Sequence, residues 1–227
     1  MSKKNDGAPN ADKDPRKIAI FENQVIQFRC LYAFLRKRGF KVWPVSEKEP
    51  DKPFTDTDFQ DDQFRELMNA VHVYLNLQYS SLAIGDDQIN QVDDYRTRCR
   101  DYFLKSLIEW KPDLVIIDHR LSAPMHSYDG FDLAGLLTDQ GIKVPILFLS
   151  RSDSSSKVVM DGMQSVKNKD RVAWLPKGYQ GQLVLNDDFL CTVVLNKIEN
   201  LLAYLDSNLF PDYNFISDNR NEKKKKQ

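Results

Sequence analysis

The run Leu114-Val115-Ile116-Ile117 closes on a lone carboxylate, Asp118, and three more apolar runs close on polar side chains in the same way. Lys17-Ile18-Ala19-Ile20-Phe21 leads into Glu22-Asn23, Val144 to Leu149 leads into Ser150, and Val172-Ala173-Trp174-Leu175-Pro176 leads into Lys177. Short apolar runs bounded by turn residues read as strands buried on both faces, and helical patterns between them call for parallel pairing. In open sheets of that kind ligands bind outside the carboxyl ends of the strands. Glu22, Asn23, Asp118, Ser150 and Lys177 therefore fall at one edge of the sheet. Two acids, an amide, a hydroxyl and an ammonium suit a divalent cation and a phosphoryl group.

The intervals between the runs carry helical spacing. From Gln24 to Lys37 a stripe can be drawn through Ile26, Cys30, Ala33 and Phe34, and Gly39 follows where a left-handed cap is expected. Phe40 to Val45 reads as a second strand, with Pro44 marking an edge position or a strand end. Ser46 to Asp61 is acidic and punctuated by turn signals, so it reads as loop. Asp62 to Tyr79 then places Phe64, Leu67, Met68, Val71 and Leu75 on one helical stripe. Asp93 to Trp110 forms another helix, carrying Tyr95, Tyr102, Phe103, Leu107 and Ile108 and closed by Pro112. One helix suffices to connect two parallel strands, so this connection holds an insert, about 46–90, expected outside the sheet beside strand two. Its removal is expected to leave the rest folded. A turn-rich loop, Ser122 to Gly130, precedes a short helix from Phe131 to Thr138, and a last helix runs from Asp187 or Asp188 past Leu202.

With 41% hydrophobic residues the chain can build a substantial core, and a net charge of −1 excludes a general nucleic-acid binder. Lys223 to Lys226 read as a solvated basic tail. No apolar run reaches membrane-spanning length and no signal-peptide core follows Met1. The three cysteines, Cys30, Cys99 and Cys191, form no CxxC pair, and Cys30 and Cys191 sit in apolar helical patterns that predict buried free thiols. The setting expected from these features is the cytoplasm. The chain divides into a disordered segment, 1–15, a single domain, 16–209, and a disordered tail, 210–227.

The succession of elements and their terminal residues resembles the receiver domain of two-component response regulators. Glu22-Asn23 stands where that family has its acidic pair, Asp118 where it has its phosphoacceptor, and Asp129-Gly130 where an Asp-Gly opens the third helix. Ser150 stands at the position of the Thr or Ser that ends strand four, and Lys177 at that of the lysine that ends strand five. The resemblance covers about 17–205 outside the insert. It implies an α/β fold, a flavodoxin-like doubly wound five-stranded parallel sheet of order 2-1-3-4-5 with a helical insert.

It also implies a signal-transducing phosphoprotein of the two-component regulatory system rather than an enzyme. Asp118 would accept the phosphoryl group, and Glu22, Asn23, Asp118 and the backbone carbonyl of Arg120 would hold Mg2+. Ser150 and Lys177 would contact the phosphoryl group, and Trp174 would act as the switch aromatic three residues before the lysine. The implied partners are a histidine kinase or phosphotransfer protein and a downstream protein target, with a homodimer as a further state and neither nucleic acid nor membrane bound directly.

The departures from the family are specific. Asn23 replaces an aspartate, Pro176 precedes the lysine and Gly178 follows it, the loop after Asp118 is longer, and no output domain is expected in the residues after the last helix. They leave open a pseudo-receiver, a phosphorylation-independent binding or dimerisation module. Asn23 is equally suited to cap the helix that starts there. A phosphatase of the haloacid-dehalogenase type would need an acid two residues after the nucleophile, where Arg120 stands. His119 reads as a surface or loop residue. Zinc would need further soft ligands that its neighbourhood lacks.

Overall fold

Apolar runs of four or five residues with no polar face can be satisfied only between two layers of helices, and that is how the strands are placed. The computed structural model describes residues 14–22, 24–45, 62–77, 86–119, 121, 129–150, 166, 171–176 and 193–207. Among these, β1 (Lys17–Phe21), β2 (Lys41–Trp43), β3 (Leu114–Ile117), β4 (Ile146–Ser150) and β5 (Val172–Pro176) form one sheet in the order β2-β1-β3-β4-β5. All four pairings are parallel. The fold is the doubly wound, flavodoxin-like α/β arrangement expected from the sequence. The second strand is shorter than Phe40 to Val45: Pro44, which lacks an N–H, lies just past its end on the sheet edge.

Alternation along the strands divides the core in two. Ile18, Ile20, Leu114, Ile116, Leu147 and Leu149 face a layer made by α1 (Val25–Lys37) and α5 (Leu195–Ser207). Ala19, Phe21, Val115, Ile117, Phe148 and Trp174 face the opposite layer, built from α2 (Asp62–Leu77), α3 (Asp86–Trp110) and α4 (Asp129–Asp139).

Helix α1 presents a different stripe from the one drawn through Ile26 and Cys30. Phe28, Leu31, Tyr32 and Leu35 are buried, whereas Ile26 is 76% exposed and Cys30 is exposed. The helix is apolar most of the way round, and the set with the larger side chains takes the core because it removes more apolar area from water. Among the described residues the buried thiol is that of Cys99, on α3; Cys191, also expected to be buried, lies outside them. Gly39 adopts φ 87° directly after α1, as the helix end requires.

Helix α2 of the insert is part of the core. Leu67, Ala70, Val71 and Tyr74 of α2 join the same apolar cluster as Phe103, Trp43 and Phe21, with the Tyr74 and Phe103 rings 5.6 Å apart. Met68 packs against the other layer, which contains Val42, so α2 straddles the β2 edge. Leu67, Met68 and Val71 of the expected stripe are thus covered within the chain, whereas the side chains of Phe64 and Leu75 lie outside the described ones.

At the amino ends of the strands, Arg16 pairs with Asp113 and with Asp206, joining the entries of β1 and β3 to the end of α5. Asp113 also accepts the Lys17 backbone N–H at 2.8 Å, and the Trp110 carbonyl accepts the Lys17 ammonium at 3.0 Å. No helix among the described residues is long and apolar enough to cross a membrane.

Candidate functional site

The opposite end of the sheet gathers the polar side chains. Phe21 pairs with Ile117 in the β1–β3 ladder, and the Asp118 N–H continues it by donating to the Phe21 carbonyl at 2.8 Å. Glu22 and Asp118 therefore leave neighbouring strands at the same level. They share the side-chain parity of Ile18, Ile20, Leu114 and Ile116, on the side of the sheet that α1 and α5 cover. Each is only 5% exposed.

Burying two like charges near each other is costly unless cations or donors compensate. Part of the compensation for Glu22 is local: its Oε1 accepts the backbone N–H of Gln24 at 3.0 Å. Gln24 is the N-cap of α1 and makes no cap bond with its own side chain. The carboxylate of Glu22 thus sits at the positive end of that helix and satisfies one of its donors. The alternative role considered for Asn23, capping this helix, falls to the Gln24 position.

His119 lies where the sequence reading did not put it. It is 1% exposed, with Nδ1 3.7 Å from Asp118 Oδ1. Its ring meets Trp174 edge-on at 5.3 Å and Phe131 at 6.4 Å. Phe131 in turn stacks on Trp174 at 6.1 Å with an interplanar angle of 18°, and Phe148 lies 4.8 Å from Phe131. The signal was present in the chain: Val115, Ile117, His119 and Leu121 alternate, and all four are buried. The period-two pattern of β3 continues past the end of the strand, and His119 occupies a core position in it.

Trp174 is buried in this aromatic group on β5. Ser150 ends β4 opposite Pro176, and Lys177 follows Pro176 directly. Asn23, Arg120 and Lys177 lie outside the described residues, as does the segment from Ser122 to Tyr128. Beyond it the chain returns tightly to the site, where the Gly130 N–H donates to the His119 carbonyl at 3.2 Å. A Cβ at Gly130 would stand 2.5 Å from the Asp118 carbonyl oxygen and from the His119 Cα. The glycine at the start of α4 is needed for this approach.

Hard oxygen donors on adjacent strand ends, largely withdrawn from water, fit a small divalent cation in the chemistry of the donor set. Among the described residues no three His, Cys, Asp or Glu side chains converge on one point, so a cation here would take its remaining ligands from backbone, water or phosphoryl oxygens. Compared with protein-family models, with curated proteins and with solved structures, the chain finds no match.

Proposed function

We propose that this chain is a receiver-type signalling domain of the cytoplasm that accepts a phosphoryl group on Asp118 and switches a protein-interaction surface in response. The observation that carries the reading is the pair Glu22 and Asp118, both 5% exposed, leaving adjacent central strands of a β2-β1-β3-β4-β5 sheet. A carboxylate kept from bulk water at such a strand end is placed for nucleophilic attack. An Asp118 carboxylate oxygen bonds to phosphorus while the bond from phosphorus to its donor breaks, and the donor, the phosphohistidine of a kinase or phosphotransfer protein, leaves with the electron pair. Bound Mg2+ would neutralise charge on the phosphoryl oxygens. Glu22 and Asp118, with Asn23 and the Arg120 carbonyl, are the residues that would hold it. The Lys177 ammonium would pair with the phosphoryl oxygens and Ser150 would donate to one of them.

Trp174 would report the event. Its ring touches His119, the residue next to the nucleophile, so a change in the Asp118 backbone reaches the β5 layer through one ring contact. The downstream target would read the surface formed by β5 and the flanking helices.

One observation favours the pseudo-receiver as a second reading. Glu22 is already engaged at the N-terminus of α1, and Asn23 lacks the charge of the aspartate usual in receivers. The two readings separate by experiment. Incubation with acetyl phosphate and Mg2+ is expected to add one phosphoryl mass to the wild type and none to Asp118→Asn, read by intact mass at low temperature. Asn23→Asp, which restores a formal charge to the cation pocket, is expected to speed the reaction. Absence of the adduct in both the wild type and Asn23→Asp would leave the binding module.

A further inference from the structure

Helices α2 and α3 pack side by side and leave a groove of about 410 Å3 on their outer surface, away from the sheet. Its floor is Ala70 and Cys99, both buried. Its walls hold two tyrosines of α3, Tyr95 at 49% and Tyr102 at 43% exposed, unusually open for large rings. Seven residues, about two turns or 10 Å, separate them along one helix face.

Each ring has a charged companion of opposite sign. The Arg98 guanidinium lies 5.8 Å over the Tyr95 ring. The Tyr102 hydroxyl donates to Glu66 on α2 at 3.4 Å. Burial, then Glu66, raises the Tyr102 pKa. The groove therefore has a positive aromatic end and a negative aromatic end, with small buried residues between them.

We propose that this groove is the contact surface of a symmetric dimer of the chain. A twofold axis through the middle of the groove would bring Tyr95 and Arg98 of one copy onto Tyr102 and Glu66 of the other. The same pair of opposite charges would meet twice. Isologous contacts require a patch that complements itself, and charges of opposite sign at the two ends of one aromatic strip satisfy that requirement. A partner of uniform charge would be attracted at one end and repelled at the other. The exposed tyrosines provide amphipathic contact area of the type enriched at such interfaces. The inference is independent of phosphoryl chemistry, because none of these residues belongs to the carboxylate edge.

Charge exchange tests it. In sedimentation velocity over a wide concentration range the wild type is expected to pass from monomer to dimer. Glu66→Arg and Arg98→Glu each place like charges at both contacts, and each is expected to weaken dimerisation at least about tenfold. An equimolar mixture of the two variants is expected to recover association, because every contact is again between opposite charges. The double variant Glu66→Arg with Arg98→Glu is likewise expected to recover as a homodimer. Recovery on mixing also shows that each single variant is folded. A wild type that stays monomeric throughout, single variants that dimerise like the wild type, or a mixture and a double variant that fail to recover would each overturn the proposal.

Discussion

Gly130 has space for a hydrogen and nothing larger. A side chain there would have to displace the backbone of Asp118 and His119, since the nearest atoms are main chain and cannot rotate away. Gly130→Ala is therefore expected to destabilise the fold by about 1–3 kcal/mol, in the range for overpacking, and to shift Trp174 emission through His119. A denaturant titration and a fluorescence spectrum check both effects; an unchanged emission maximum would show that the Asp118–His119 segment yields without moving Trp174. At this scale the site was legible in part. The acidic strand ends could be read because polar residues that terminate buried runs have few other places to go. His119 could not be read by residue type, since histidine is common on surfaces, yet it was available from the alternation that continues beyond Ile117. Cys30, expected to be buried, is exposed for a related reason: a small apolar residue yields its core place when larger neighbours compete for it.

Among the elements, the contact between α2 and α3 has a titratable group in it. Burial raises the Tyr74 pKa, against the lowering effect of Arg96 and Arg100, and Arg96 lies 5.7 Å over the ring. The folded state thus holds the neutral phenol more firmly than the unfolded state does. That contribution is complete below the ordinary tyrosine pKa of about 10 and is lost as pH rises through the higher folded value. Thermal stability of the wild type is expected to fall above about pH 10, and Tyr74→Phe is expected to fall less over the same range. Equal slopes for the two proteins would place the alkaline loss elsewhere. Helix α2 was legible as a periodic segment, and Leu67 and Val71 of its stripe are buried. The partner that covers it was not: Phe103 and Leu107 were read on the next helix, but periodicity shows which face of a helix is apolar and not which element meets it.

For the molecule as a whole, strand order was legible because buried runs, crossover helices and a single sensible hand leave few topologies. The insert's place beside strand two was legible too, but its share in the core was not. Helix α2 provides Leu67, Ala70, Val71 and Tyr74 to one of the two core layers. Fully burying a leucine or valine side chain is worth on the order of 1.5–3 kcal/mol, and the whole of a domain's stability is about 5–15 kcal/mol. A chain lacking residues 62–77 is therefore expected to lose cooperative thermal unfolding, measured by circular dichroism. A sharp transition in the deleted chain would instead make α2 an appendage.

The same long connection between β2 and β3 has a kinetic consequence. Ile18 sits in the middle of the sheet against Leu114, so the central pair of strands joins segments about a hundred residues apart. In equilibrium terms the added length costs little, since each doubling of a loop adds only about 0.6 kcal/mol. In time it matters more. The α2 and α3 pair and the β1–α1–β2 unit can form from neighbouring sequence, but the strand end carrying Asp118 is assembled against that carrying Glu22 only after the whole intervening chain has been made and gathered. The two carboxylates are therefore expected to come together late, after the units formed from neighbouring sequence.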